Sequence, residues 1–354
     1  MYEVIREQKG KRVGTMFKGL KKLVAALAIA SVAGLSGCGH QSERAVQEDE
    51  GETIVLRYAE NQTGDYPTTQ AAKKFAELVK EGTHGRIVVD VYDNAKLSSE
   101  EAVVKQVMYG TVDMSRVSIS VLSGITRDYE ALQLPYLYRD SDHMWKVLDS
   151  EIGEAFLHKM EPAGIIGLSW YDSGARNFYT SKKEIKSLED MKGLNIRVQN
   201  SPMMEDLVKA LGANPIPMTY GDVYAGLESG TIDGAENSWP SYEAMNHYKV
   251  AKYYCLDGHS RIPELQIISK KTMDKLSPTD QQILRMCAVE SAKYERELWA
   301  KREKESEKKV MDNGTVATKL SETEMAKFVE AVQPVYEKYG KPVNDLVQQI
   351  KNMK

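Results

Sequence analysis

The stretch Gly230-Thr231-Ile232-Asp233 repeats, with one conservative change, the earlier stretch Gly110-Thr111-Val112-Asp113. Each follows apolar residues at helical spacing: Val103, Val104, Val107 and Met108 before the first, and a run opening near Asp222 before the second. A glycine just past the last apolar position is a helix stop, because glycine enters the left-handed region without steric penalty. Val112 and Ile232, both β-branched, then open strands. A glycine-led strand lies upstream of each unit, at Gly85 and Gly193. A helix-glycine-strand unit that occurs twice predicts two similar α/β lobes with a cleft between them, rather than one continuous sheet.

The alternation continues on both sides. Ile54, Leu56 and Tyr58 have strand spacing, and Ala71, Phe75, Leu78 and Val79 have helix spacing, ending at Gly82 and Gly85. Arg86 to Tyr92 is the next strand, and Ser98 with Glu101 makes a capping box for the helix that Gly110 closes. Later, Ser277 and Pro278 start a helix running through Ile283, Leu284, Cys287, Tyr294, Leu298 and Trp299 toward Lys309. At about 45 to 50 Å it is long enough to cross both lobes. Ser321 to Glu324 caps a last helix that Pro334 bends or breaks. The expected division is 53–173 with 263–302 for lobe I, and 174–262 with 303–354 for lobe II.

Residues 1–37 read as a targeting segment. Lys18, Lys21 and Lys22 precede the apolar stretch Leu23 to Leu35, about 13 residues, short of the roughly 20 that span a bilayer. Leu35-Ser36-Gly37-Cys38 looks like a bacterial lipobox, so the mature chain is expected to begin at a lipid-bearing Cys38, anchored outside the cytoplasm. Residues 38–52 are polar and free of aromatics, the composition of a disordered tether. Removing residues 1–37 takes the formal charge from -4 to -9, which argues against nucleic acid as a partner. Cys255 and Cys287 are too few for a disulfide scaffold and far from any metal spacing, so no metal is expected.

Arg197 stands inside the apolar run Leu194 to Val198. A buried guanidinium left unpaired costs on the order of 3 to 5 kcal/mol, so its partner is either internal or a ligand anion. Arg176, after Gly174 at a crossing between lobes, can reach a second oxygen of such an anion, and Glu236 can balance one of the two arginines. Arg116 on the Val112 strand is a further candidate. Asn61, Gln62 and Tyr66 follow the first strand, where loops offer hydrogen bonds to ligands. Asn237 either lines the cleft or caps a turn before Pro240, and Tyr171, Tyr220 and Trp239 either stack on a sugar face or belong to the core. The histidines read as structural.

These residues resemble a known family, the extracytoplasmic solute-binding subunits of TRAP transporters, of the DctP type. The resemblance runs from about Thr53 to the end. It rests on Ala59-Glu60-Asn61 with Tyr66-Pro67-Thr68, Gln133 to Tyr138, and Gly174-Ala175-Arg176-Asn177. It continues through Leu188 to Val198 and Gly230 to Asn237, with Trp239-Pro240. It implies a two-lobe, periplasmic-binding-protein-like fold, with crossing strands and a long helix spanning both lobes, closing on an organic anion. It also implies that Arg197 pairs with the ligand carboxylate, that Arg176 and Asn237 line the cleft, and that the partner is a membrane permease. Similarity to family members that share the Asn-Gln-x-x-Asp-Tyr-Pro and Trp-Pro-Ser-Tyr-Glu runs implies a hexuronate such as glucuronate or galacturonate, with a C4-dicarboxylate as the alternative.

No nucleophile elbow, zinc motif, Walker loop or dinucleotide fingerprint is present, which fits a monomeric binder without cofactor rather than an enzyme. Two rivals stand beside it. A secreted hydrolase would turn solute over, and a ligand-sensing receptor module would engage a signalling partner.

Overall fold

The structure, a computed structural model, describes residues 53–354. The expected signal segment, Cys38 and the tether lie outside the described residues. The strands fall into two sheets, one per lobe. The first holds β1 (Ile54–Ala59), β2 (Ile87–Tyr92), β3 (Met114–Ser118), β4 (Ile165–Tyr171) and β11 (Glu264–Ser269), in the order β2-β1-β3-β11-β4. The second holds β5 (Ala175–Thr180), β6 (Asn195–Val198), β7 (Asn214–Pro217), β8 (Gly234–Asn237), β9 (Tyr253–Leu256) and β12 (Val316–Lys319), in the order β12-β9-β5-β8-β6-β7. The short β10 (Ser260–Arg261) pairs with β5.

The repeated unit proves to be a repeated device. Gly110 and Gly230 both close their helices at φ 75°, and each strand opens at the fourth residue beyond, later than Val112 and Ile232 suggested. The aspartate that ends each unit explains the delay. Asp113 Oδ2 accepts the backbone N–H of Arg57 on β1 at 2.8 Å, and Asp233 Oδ2 accepts that of Asn195 on β6 at 3.0 Å. Each side chain locks the start of its strand to the parallel neighbour, β3 to β1 and β8 to β6. The helix of the first unit begins at Glu100 with Ser99, not Ser98, as its cap.

In the first lobe the helix Pro67–Gly82 lays Phe75 and Val79 on the sheet, and burying each side chain contributes about 1.5–3 kcal/mol. The strands β3, β11 and β4, the last at the sheet's edge, are buried along their whole length, as expected of a sheet covered on both faces. The chain crosses to the second sheet between Tyr171 and Ala175 and returns between Arg261 and Glu264. Gly174 permits the first crossing at φ 71°, where an added Cβ would meet Glu303, Trp299 and Ser238 at 3.0 to 3.2 Å.

The third connection is the helix Pro278–Asp312, which at 35 residues spans about 52 Å. Ser277 caps it, and Arg86 pairs with Asp280 at 2.7 Å, fixing its start to lobe I. Its far end packs on lobe II, where Val310 joins the core beneath Trp239 and Tyr242. Arg302 on this helix holds Asp65 of lobe I at 3.0 Å and Glu243 of lobe II at 2.6 Å. After β12, Ser321 caps the helix Glu322–Ala331, which breaks before Pro334. Cys255 and Cys287 are buried and free, one in β9 and one in the long helix.

Candidate functional site

Between the sheets lies a cavity of about 190 Å³. Lobe I contributes Asn61, Gln62, Glu100, Arg116 and Glu264; lobe II contributes Arg176, Arg197, Gln199, Thr219, Tyr220 and Asn237. Several follow or end parallel strands: Asn61 after β1, Gln199 after β6, Thr219 after β7, Asn237 at the end of β8. Carboxyl ends of strands are where open α/β sheets place ligands.

Three buried arginines reach this cavity, and they differ in what satisfies them. Arg176 is clamped by Glu236, with Nη2 donating to Oε1 at 2.7 Å and Nε to Oε2, while Nη1 donates to Asn237 Oδ1 at 3.2 Å. Burial pushes the Glu236 carboxyl up, but Arg176 and the His259 ring outweigh it and hold it at about 2. His259 lies 3.4 Å from Glu236 and 2.8 Å from Asp257, stacked on Phe178; burial opposes its charge, yet the two carboxylates raise it to about 9. Glu236 is thus the counter-ion of Arg176, set behind the cavity wall.

Arg116 is surrounded by carboxylates. It donates to Glu60 through Nε at 3.2 Å and to Glu264 through Nη1 at 3.1 Å, with Glu100 at 3.5 Å and Asn61 Oδ1 on Nη2. Arg197 has none. Its Nε and Nη2 donate to the Met218 carbonyl at 2.9 and 2.7 Å, and Nη1 has no hydrogen bond among the described residues. Burial therefore pulls its pKa below the usual value, with Glu236 opposing.

Of the sequence candidates, Arg197, Arg176, Asn237, Arg116, Asn61, Gln62 and Tyr220 are brought together around the cavity. The other four are not lining residues. Tyr66 turns its hydroxyl to Ser241 at 2.8 Å and its ring to Trp299. Tyr171 is fully buried against Ser291 at 3.0 Å, and Trp239 stacks on Tyr254 at 3.7 Å within the lobe II core. Glu236 pairs with Arg176, the balancing partner the sequence suggested. Sequence reasoning missed Glu264, Glu100, Gln199 and Thr219. Glu264 carried the same signal as Arg197, a charge at the head of an apolar run, but Glu100 was hidden in what reads as helix-cap chemistry.

A deep polar cleft with convergent arginines, between two α/β lobes tied by crossing strands and one long helix, defines a two-lobe solute-binding protein. Residues 58–342 match the family described as DctP, bacterial extracellular solute-binding protein, family 7, and the chain belongs to that family as a TRAP extracytoplasmic solute-binding subunit. A solute-binding protein of Chromohalobacter salexigens is 35% identical over 274 residues, 77% of this chain and 81% of the relative. A TRAP periplasmic solute-binding protein from Bradyrhizobium sp. BTAi1, solved in complex with galacturonate, superposes with a TM-score of 0.82 at 41% identity, covering 84% of this chain and 99% of that one. One from Pseudomonas putida F1 with bound D-glucuronate gives 0.83 at 35%, covering 85% and 98%. Members of the family act outside the cytoplasm, and no helix among the described residues is long and apolar enough to cross a membrane.

Proposed function

We propose that this protein encloses a hexuronate, with Arg197 clamping its carboxylate, and passes it to a TRAP permease from a lipid anchor at Cys38. The observation that carries this reading is the state of Arg197: 3% exposed, at the cavity, and matched with a carbonyl where Arg176 and Arg116 have carboxylates. A buried guanidinium with donors to spare is complementary to a carboxylate entering the cleft. Relatives solved with galacturonate and with glucuronate support the choice of sugar acid over a C4-dicarboxylate.

Isothermal calorimetry and thermal shift with D-glucuronate, D-galacturonate and malate test it. A uronate at 100 times its Kd should raise stability by about 2.7 kcal/mol. A response to malate alone would replace the substrate class, and turnover of the uronate would return the hydrolase rival. Metabolic labelling with palmitate, lost in Cys38→Ser, tests the anchor.

A further inference from the structure

The two ends of the cavity are chemically opposite. The lobe II end presents the unmatched guanidinium of Arg197. The lobe I end gathers Glu60, Glu100 and Glu264 around the single cation of Arg116. Acceptors there remain open: the hydrogen bond of Glu264 among the described residues uses Oε1, from Arg116, and Gln62 Oε1 is buried without a partner while its residue lines the cavity. Burial, with Glu100 and Glu60 adding and Arg116 and Arg176 opposing, lifts the Glu264 carboxyl to about 8, so the pocket resists holding all three carboxyls as anions and resists a further one entering with the solute. Hydroxyl groups satisfy open acceptors, whereas a second carboxylate adds negative charge to a pocket that already resists it.

Building on the uronate reading, we propose that Glu100 and Glu264 form a subsite that accepts hydroxyls and turns away a second carboxylate, so the cleft selects monocarboxylic sugar acids over aldaric and dicarboxylic acids. Specificity then has two parts, an attractive one at Arg197 and a repulsive one some way across the cavity. The acids that isolate the second part are galactonate and galactarate, which share an open chain and differ only in whether the far carbon carries a hydroxyl or a carboxylate.

The test is displacement of bound D-glucuronate by each acid, for wild type and for Glu264→Gln and Glu100→Gln, with ligand-free melting temperatures recorded alongside. Wild type is expected to prefer galactonate at least 100-fold. At least one variant that melts like wild type should narrow the preference tenfold or more, through gained affinity for galactarate. Equal binding, or equal failure to bind, by the two acids in wild type overturns the proposal, as does an unchanged preference in both variants. A chain that binds glucuronate but accepts galactarate as readily as galactonate loses only this inference. One that binds malate and no sugar acid loses the uronate reading as well.

Discussion

Arg197 gives two donors to one carbonyl oxygen, that of Met218, and none to a carboxylate among the described residues. The carbonyl fixes the plane of the guanidinium without neutralising it, so the charge stays available to solute.

Arg197→Ala and Arg197→Lys should each lose on the order of 2–5 kcal/mol of affinity for the acid ligand, since lysine cannot reproduce a planar fork. For Arg197→Ala the melting temperature without ligand should hold or rise, because that substitution removes a buried charge that no carboxylate of the described residues offsets. Calorimetry and circular dichroism check the two halves.

Glu236→Ala leaves Arg176 without its clamp in a site 4% exposed. Breaking a buried pair from one side costs about 3–5 kcal/mol of stability, read by urea denaturation, and the loss should appear in the absence of any solute.

His259 and Glu236 give the protein a pH signature. His259 sits near 9 against a usual 6.5, so its contribution is complete below 6.5 and is lost as pH rises through 9. Glu236 sits near 2 against 4.5, so its contribution is complete above 4.5 and is lost as pH falls through 2. Stability should peak between 4.5 and 6.5 and decline by on the order of 1–3 kcal/mol toward pH 9, and His259→Gln should flatten the alkaline limb.

Trp239 separates core from cleft. Its stack on Tyr254 makes Trp239→Ala a large-to-small core change costing about 3–5 kcal/mol, whereas Trp239→Phe should keep uronate affinity within a few-fold. A specific affinity loss in the folded Phe variant would return Trp239 to the binding surface.

The two aspartates of the repeat predict parallel effects. Asp113→Asn and Asp233→Asn each weaken the charge-assisted bond to a neighbouring strand together with a second contact, to Thr272 and to Lys182 respectively, at about 1–3 kcal/mol apiece, and because they lie in different lobes the double variant should be additive.

Much of the architecture was legible because it rests on local chemistry. Gly110 and Gly230 stop helices by backbone conformation, and Ser277-Pro278 and Ser321 start them by capping. The arginines were legible because charge inside an apolar run demands a partner. Which partner was not, since Glu236 faces Arg176 only through the antiparallel pairing of β5 with β8. Aromatics misled for a related reason: Tyr171 and Trp239 have the composition of a sugar platform, but their direction depends on which sheet face each strand or helix presents. Glu100 and Glu264 meet only when the helix start and β11 converge on β3.

The paired aspartates also set terms for how this protein can change. Asp113 and Asp233 register the strands at one end, while Asn61, Gln199 and Asn237 display their side chains at the other. Alignment and recognition are thus written in separate residues. Side chains at the cavity end can therefore be exchanged without disturbing the two contacts that register the strands.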